Sequence, residues 1–308
     1  MAPKTLLIAL GGNALIRKNQ RGTIREQFAN LEIPMRQIAR LSRRYRIIIT
    51  HGNGPQVGNL LLQQECCEAV PKLPLEILVA QTQGQIGYMI ESTMDTALMD
   101  LGIHFKQSFI TLISYVVVDE NDPAFVRPTK PIGPVLTEAP SAYPYPTRLT
   151  AKGLRRVVAS PRPLAVVEKR EIKKLIDMGF IVICCGGGGI PVIREGRRFH
   201  GVDAVIDKDL VSARLAKEIG VERFIIATDV PGLAIDFGTP DERFLETVTV
   251  EELAAHTQAG HFPPGTMRPK VEAASNFVRG SGRRAVVCAL EDIEKAATGK
   301  AGTRIQTD

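Results

Sequence analysis

Leu6-Leu-Ile-Ala-Leu-Gly-Gly-Asn-Ala14 is an apolar strand that runs into paired glycines, and three other stretches repeat the pattern. They are Ile47-Ile-Ile-Thr-His-Gly-Asn-Gly-Pro55, Ile181-Val-Ile-Cys-Cys-Gly-Gly-Gly-Gly189 and Ala204-Val-Ile-Asp-Lys-Asp209. Glycine has no Cβ, so its backbone reaches positive φ and its N–H groups can converge on anionic oxygens, most usefully where a helix begins directly afterwards. One such turn is weak evidence. Three glycine turns, with a lysine between two aspartates, point to a site assembled at the carboxyl ends of several strands, where open α/β sheets hold their ligands. The chemistry this favours is phosphoryl transfer.

Working outward, apolar runs at 5–10, 46–50, 113–118, 180–185, 223–228 and 284–289 read as buried strands. Helical-period segments separate most of them, which predicts a largely parallel sheet covered on both faces. Thr23-Ile-Arg-Glu26 has the form of a capping box, followed by Ile24, Phe28, Leu31, Met35, Ile38 and Leu41 at helical spacing. Pro34 is expected to kink or divide that helix. Pro55 occupies the favoured first helical position, with Val57, Leu60 and Leu61 as the buried stripe, so the turn 51–55 sits at a helix N-terminus. Leu210, Val211, Leu215, Ala216 and Ile219, stopped by Gly220, put Asp207-Lys208-Asp209 between a strand and a helix start. From about 120 to 150 core periodicity is lost, and Lys130 stands among Pro128, Pro131 and Pro134. A loop that long in a compact chain is functional or disordered, and the prolines hold its lysine more rigidly than a linker would.

Composition narrows the partners. The net charge of +6 comes from scattered basic residues, and with aromatics at 5% and no Trp the chain is poorly supplied with base-stacking platforms. Small anionic substrates fit better than nucleic acid. Cysteines 66, 67, 184, 185 and 288 include no Cys-x-x-Cys, so neither a disulfide framework nor a zinc site is indicated, and buried thiols in a reducing cytoplasm are expected. The first apolar run ends after six residues at Gly11, too short for a secretory core, and no later run approaches a membrane span.

Familiar nucleotide signatures fail. Gly299-Lys300 is followed by Ala, with Glu294 where a P-loop needs its first glycine. Gly52-Asn-Gly-Pro-Gln-Val-Gly58 is one residue too long for a dinucleotide fingerprint. Asp236-Phe-Gly238 has no His-Arg-Asp loop upstream and reads as a surface turn. The five histidines show no metal-ligand spacing; His51, beside a glycine turn, is either packing or a substrate contact. Gln83 reads as helix packing or a subunit contact. Lys208 and Lys270 stand in turn-like sequences, unlike the lysines of polar helix faces. Transfer between two anions needs cations between them, since two like charges 4 Å apart cost about 4 kcal/mol at an effective dielectric of about 20. Asp207 and Asp209 read equally as helix caps, as partners of Lys208 or as Mg²⁺ ligands.

In combination, Ala9-Leu-Gly-Gly-Asn-Ala-Leu15, Thr50-His-Gly-Asn-Gly-Pro-Gln-Val-Gly58, Gln83-Gly-Gln-Ile-Gly-Tyr88, Pro128-Thr-Lys-Pro-Ile-Gly133, Arg155-Arg-Val-Val158, Gly186-Gly-Gly-Gly-Ile-Pro-Val192, Val205-Ile-Asp-Lys-Asp209 and Pro269-Lys-Val271 resemble the carbamate kinases of the amino-acid-kinase superfamily. The resemblance runs from residue 5 to about 305. Ala9 stands where the superfamily at large has a lysine, and the carbamate branch supplies that charge from the inserted Pro-Thr-Lys segment, here Lys130. The resemblance implies a three-layer α/β/α sandwich with a largely parallel central sheet and a small protruding subdomain. It further implies one domain over 1–308, with an acceptor lobe at about 1–170, a lid at about 120–152 and a nucleotide lobe at about 171–308.

The implied activity is reversible transfer between ATP, carried with Mg²⁺, and carbamate, giving ADP and carbamoyl phosphate. A cytoplasmic homodimer in arginine metabolism is implied with it, binding neither nucleic acid nor membrane. By the same resemblance Lys130, Lys208, Lys270 and Asp209 are catalytic. Gly11, Gly12, Asn13, Gly52, Asn53, Gly54, Gly187 and Gly188 bind substrate, and Asp207, Thr228, Asp229, Val230, Met267 and Pro269 bind nucleotide. No residue is assigned to the metal. The chain departs from the family at Val135-Leu136, in the proline-rich stretch that follows, at Gly153-Leu-Arg-Arg156 and at Thr266, where Ser is usual. The alternatives are a related kinase for a larger carboxylate or a nucleoside monophosphate, and a non-catalytic nucleotide- or nucleic-acid-binding relative.

Overall fold

Side chains alternate from face to face along the strands, and that alternation separates two cores. In a computed structural model describing residues 3–150, 153–262 and 267–307, eight strands form the central sheet. They are β1 (Thr5–Leu10), β2 (Arg46–His51), β3 (Phe109–Leu112), β4 (Ile181–Cys184), β5 (Arg223–Thr228), β6 (Thr247–Thr249), β7 (Arg284–Ala289) and β8 (Thr303–Gln306). Their order is β6-β8-β7-β5-β1-β2-β4-β3. Every neighbouring pair is parallel except β7–β8.

Leu6, Ile8 and Leu10 face one core with Ile47, Ile49, Ile225 and Ala227. There they meet α1 (Ile24–Ser42), α3 (Leu75–Asp100) and α8 (Ile293–Ala297). Leu7, Ala9, Ile48, Phe224 and Ile226 face the other core. That core is closed by α4 (Lys169–Asp177), α5 (Lys208–Ile219), α6 (Val250–Gln258) and α7 (Met267–Ser281). The period of two thus produces the three expected layers.

Local signals place several boundaries. Thr23 and Glu26 cap α1 reciprocally, and Asp207 caps α5 through the Asp209 N–H. Gly220 ends α5 at φ +75°, in the left-handed region that a residue with a Cβ rarely adopts. Pro34 does not divide α1, which runs unbroken through it. The run at 113–118 is a second correction: its strand, Tyr115–Val117, joins a separate four-stranded sheet with 165–166, 190–195 and 198–201, and the edge of the central sheet is β3.

The region from about 120 to 150, where core periodicity is lost, contains strands. Lys130–Ile132 and Thr147–Thr150 pair antiparallel with Gly153–Val158, making a small three-stranded subdomain. The sheet has no break near residue 170, because β4 lies between β2 and β3. Among the described residues no helix is long and apolar enough to cross a membrane.

Candidate active site

β5, β1, β2 and β4 are adjacent and parallel, so their carboxyl ends open on one edge of the sheet. Gly11 follows β1, Gly52 follows β2, Gly186–Gly188 follow β4, and Thr228 ends β5. The Gly11 N–H donates to the Ala227 carbonyl at 2.8 Å. A Cβ on Gly11 would lie 3.0 Å from that same oxygen, whereas one on Gly12 would meet nothing within 4 Å. The first glycine is thus required by packing and the second faces open space.

The neighbouring turns are packed as closely. Asn53 is buried, donates to the Thr82 hydroxyl at 2.8 Å, and sits where a Cβ on Gly187 would approach its side-chain nitrogen to 2.2 Å. Gly187 and Gly188 have φ of +65° and +90°, and a Cβ on Gly188 would come within 2.4 Å of the Ile206 carbonyl. Gly54 opens α2 (Gly54–Glu65), with Pro55 in its first turn as expected.

Lys208 is the first residue of α5 and its stem lies along the second turn, since a Cβ on Gly52 would be 3.6 Å from the Lys208 Cδ and 3.8 Å from the Gly12 N. Lys270 is corrected from a turn to the first helical turn of α7. Lys130 reaches in from the three-stranded subdomain. The three cations converge on two carboxylates. Lys208 and Lys270 both bind Asp209, the latter at 2.9 Å, and Lys130 binds Asp207. Asp207 keeps its other oxygen on the Asp209 N–H at 2.9 Å. It is therefore both a cap and a lysine partner, two of the three readings the sequence left open.

A further tie at the start of α5 is not legible in the sequence. Ser212 Oγ donates to the Lys208 carbonyl at 2.6 Å, which leaves Thr50 as the donor across the 2.7 Å Thr50–Ser212 contact, bracing the start of α5 against β2. Nothing near Thr50 or Ser212 in the chain announces this, nor the grip of Thr82 on Asn53. Gln83 is buried and exchanges hydrogen bonds with the Ser114 backbone, so it packs its helix.

The ion pairs decide the charges. Burial pushes the Asp209 carboxyl up, but Lys208 and Lys270 outweigh it and hold the group far below the usual carboxylate range. Burial likewise raises Asp207, and Lys130 more than reverses it. Lys208 is lowered, with burial as the main cause against the pull of Asp209. Lys270 is raised, because Asp209 overcomes burial. Three cations against two anions leave the cluster one positive charge in excess, a fit to anionic ligands. All four oxygens of Asp207 and Asp209 have protein donors, so neither carboxylate offers Mg²⁺ a free ligand.

His51 is buried with Nδ1 3.2 Å from the Gly52 carbonyl, and its ring fills the space a Cβ on Gly186 would need. Burial chiefly, with Lys208 nearby, lowers its pKa from 6.5 to about 4. The packing reading of His51 is the one this geometry favours. The sign of the linkage follows: the unfolded chain takes up the proton first, so the contribution is full above pH 6.5 and is lost as pH falls toward 4. The shift corresponds to about 3 kcal/mol. We expect His51→Gln to flatten the pH dependence of urea unfolding between pH 6.5 and 4; an unchanged slope would remove His51 as its source.

The remaining expected residues lie around this edge. Asn13 is half-buried after the first turn, Asp229 is exposed and accepts from Thr228 Oγ1 at 3.1 Å, and Val230 is half-buried. Met267 and Pro269 are half-buried in the first turn of α7, Met267 against the core. Thr266 lies outside the described residues. Asp236-Phe237-Gly238 is a turn with Phe237 exposed.

A glycine-lined edge of a parallel sheet on which three lysines converge suits anionic, phosphate-bearing ligands. Residues 4–289 match the amino acid kinase family, and the chain belongs to that family. Within it the chain groups with the carbamate kinases and is an ATP-dependent phosphotransferase. It is 44% identical to the carbamate kinase of Pyrococcus furiosus, covering 98% of this chain and 99% of that one. The carbamate kinase of Giardia lamblia bound to citric acid is 40% identical with a TM-score of 0.94, covering 100% of this chain and 99% of that one. Its form bound to AMP-PNP gives a TM-score of 0.90 over the same shares of both chains, again at 40% identity.

Proposed function

We propose that the protein transfers a phosphoryl group reversibly between ATP and carbamate, by positioning and charge neutralisation without a general base. The observation that carries this reading is the convergence of Lys130, Lys208 and Lys270 on Asp207 and Asp209 beside the glycine turns. A carbamate oxygen attacks the γ-phosphorus as the bridging bond to the β-phosphate breaks, and ADP leaves with the electron pair. The attacking oxygen is already ionised, so no proton is moved. His51, buried and neutral on a backbone carbonyl, is poorly suited to act as a base.

In this reading Gly11, Gly12, Asn13, Gly52, Asn53 and Gly54, with Gly187 and Gly188, hold the transferred group and the carbamate. Lys208 and Lys270 neutralise the phosphates from the second half of the chain, Asp209 aligns them, and Lys130 closes over the acceptor. Thr228, Asp229, Val230, Met267 and Pro269 line the nucleotide pocket, with Asp207 at its edge; that a Giardia lamblia carbamate kinase is bound to AMP-PNP supports a nucleotide as ligand, without placing it. Mg²⁺ would travel on the nucleotide phosphates, since both aspartates are occupied. In the same proposal the protein is a homodimer with a place in arginine metabolism, and its five free thiols suit a reducing cytoplasm.

The test is ATP formation from ADP and a phosphoryl donor. Carbamoyl phosphate should serve, acetyl phosphate poorly, and in the ATP-consuming direction UMP and N-acetylglutamate not at all. The pH profile of kcat should show no enzyme-side basic limb between about pH 6 and 8. Preference for UMP or an amino-acid carboxylate would overturn the substrate, and a single His or Asp ionisation governing kcat would overturn the base-free mechanism.

A further inference from the structure

Gly58 and the Arg155-Arg156 pair belong to the chain's most specific motifs, yet the chemistry above uses neither. Gly58 lies on α2, one turn beyond Gly54. A Cβ there would be 2.0 Å from the Gly133 N, 2.1 Å from its Cα and 2.9 Å from the Ile132 carbonyl carbon. All three are backbone atoms, so no side-chain rotation relieves the clash. Gly133, at φ +69°, donates its N–H to the Gly54 carbonyl at 3.0 Å and accepts Arg155 Nη2 at 2.6 Å. At the far end of α2, Glu65 accepts Arg156 Nη1 at 2.5 Å, while the guanidinium lies 3.9 Å from the centre of the Tyr145 ring. The small subdomain is thus fastened to both ends of the helix whose N-terminus carries the Gly52–Gly54 turn.

Lys130 stands on the strand that enters this seat. Lys130–Ile132 runs directly into Gly133, with Ile132 opposite Arg156 and Lys130 opposite Val158. We infer that Gly58 is a positioning residue for Lys130, and that the Glu65–Arg156 pair sets the same strand from the other end of α2. Lacking a side chain, Gly58 lets the lysine-bearing strand rest on α2, so that Lys130 and the substrate turn take their positions from one rigid element. The inference rests on the role proposed for Lys130.

A Cβ needs about 3.5 Å from its neighbours, so Gly58→Ala must lift the strand by roughly 1.5 Å. Misplacement on that scale costs about 10²-fold in rate. The experiment is a double-mutant cycle with Lys130→Ala, read in kcat for ATP formation from ADP and carbamoyl phosphate. Gly58→Ala should lower kcat on the order of 30–100-fold in the wild-type background and under about threefold once Lys130 is Ala. Glu65→Gln, a milder change on a partly exposed residue, should lose about 5–10-fold with the same non-additivity, and it decides the matter if Gly58→Ala does not fold. Equal losses in both backgrounds would mean a merely structural role and overturn the inference, as would a Gly58→Ala enzyme within threefold of wild type. A Lys130→Ala enzyme with full activity would instead overturn the role proposed for Lys130, a distinct result that Gly58 does not enter.

Discussion

Lys208→Ala and Lys270→Ala are each expected to lower kcat/KM by on the order of 10²–10³, or about 3–4 kcal/mol of transition-state stabilisation, while the protein remains folded. The size follows from burial: the two residues are 7% and 8% exposed, so water cannot replace their charge as phosphoryl oxygens approach. Folding survives because Asp209 binds both lysines, and losing one leaves it paired with the other. Steady-state rates of ATP formation, with thermal unfolding as a control, check this. Folded variants within threefold of wild type would remove these lysines from the mechanism.

Asp209→Asn should have the largest effect on stability. Asn keeps the shape and removes the charge, leaving two buried ammonium groups without their shared ion-pair partner and only the weaker pull of Asp207, with Asp229 on Lys270, against their charge. Breaking a buried ion pair from one side costs about 3–5 kcal/mol. In a chain of this size that lowers Tm by roughly 5–10 °C. An added polyvalent anion takes over the missing charge, so ADP should raise the Tm of the Asn variant more than that of the wild type. An Asn variant as stable as wild type, or one that ADP stabilises no further, would count against Asp209 as the hub. Asp209 is held far below the usual carboxylate range, so its contribution is present at neutral pH and is lost only as pH falls through that depressed value.

The arrangement shows how a lysine far along the chain from the first glycine turns joins the cluster beside them. Ala9 is fully buried in the core at its place on β1, among Val116, Ile206 and Ile226. Lys130 enters from outside the sheet and finds Asp207, the N-cap of α5.

Read alone, the chain determines its layers and the edge on which ligands bind. Near-continuous apolar runs in β1, β2 and β5 dictate a sheet buried on both faces, and glycines, caps and Pro55 mark where strands give way to helices. These are local signals, carried by the conformational freedom of glycine and the period of two, and they survive without knowledge of the partners. The run at 113–118 shows their limit, because an apolar strand does not say which sheet it will join; hydrogen bonds to 190–192 and 165–166 decide that. The strands inside 120–158 were hidden for a related reason: they are short, and only Ile132 and Val157 in them are buried, too few to impose an alternating pattern. Only the tertiary structure gave Asp209 two lysines, Asn53 its hold on Thr82 and Lys130 its seat on Gly58. Apart from the neighbouring Lys208 and Asp209, those contacts join residues remote in the chain, and their energy depends on burial and distance, which the folded packing alone supplies.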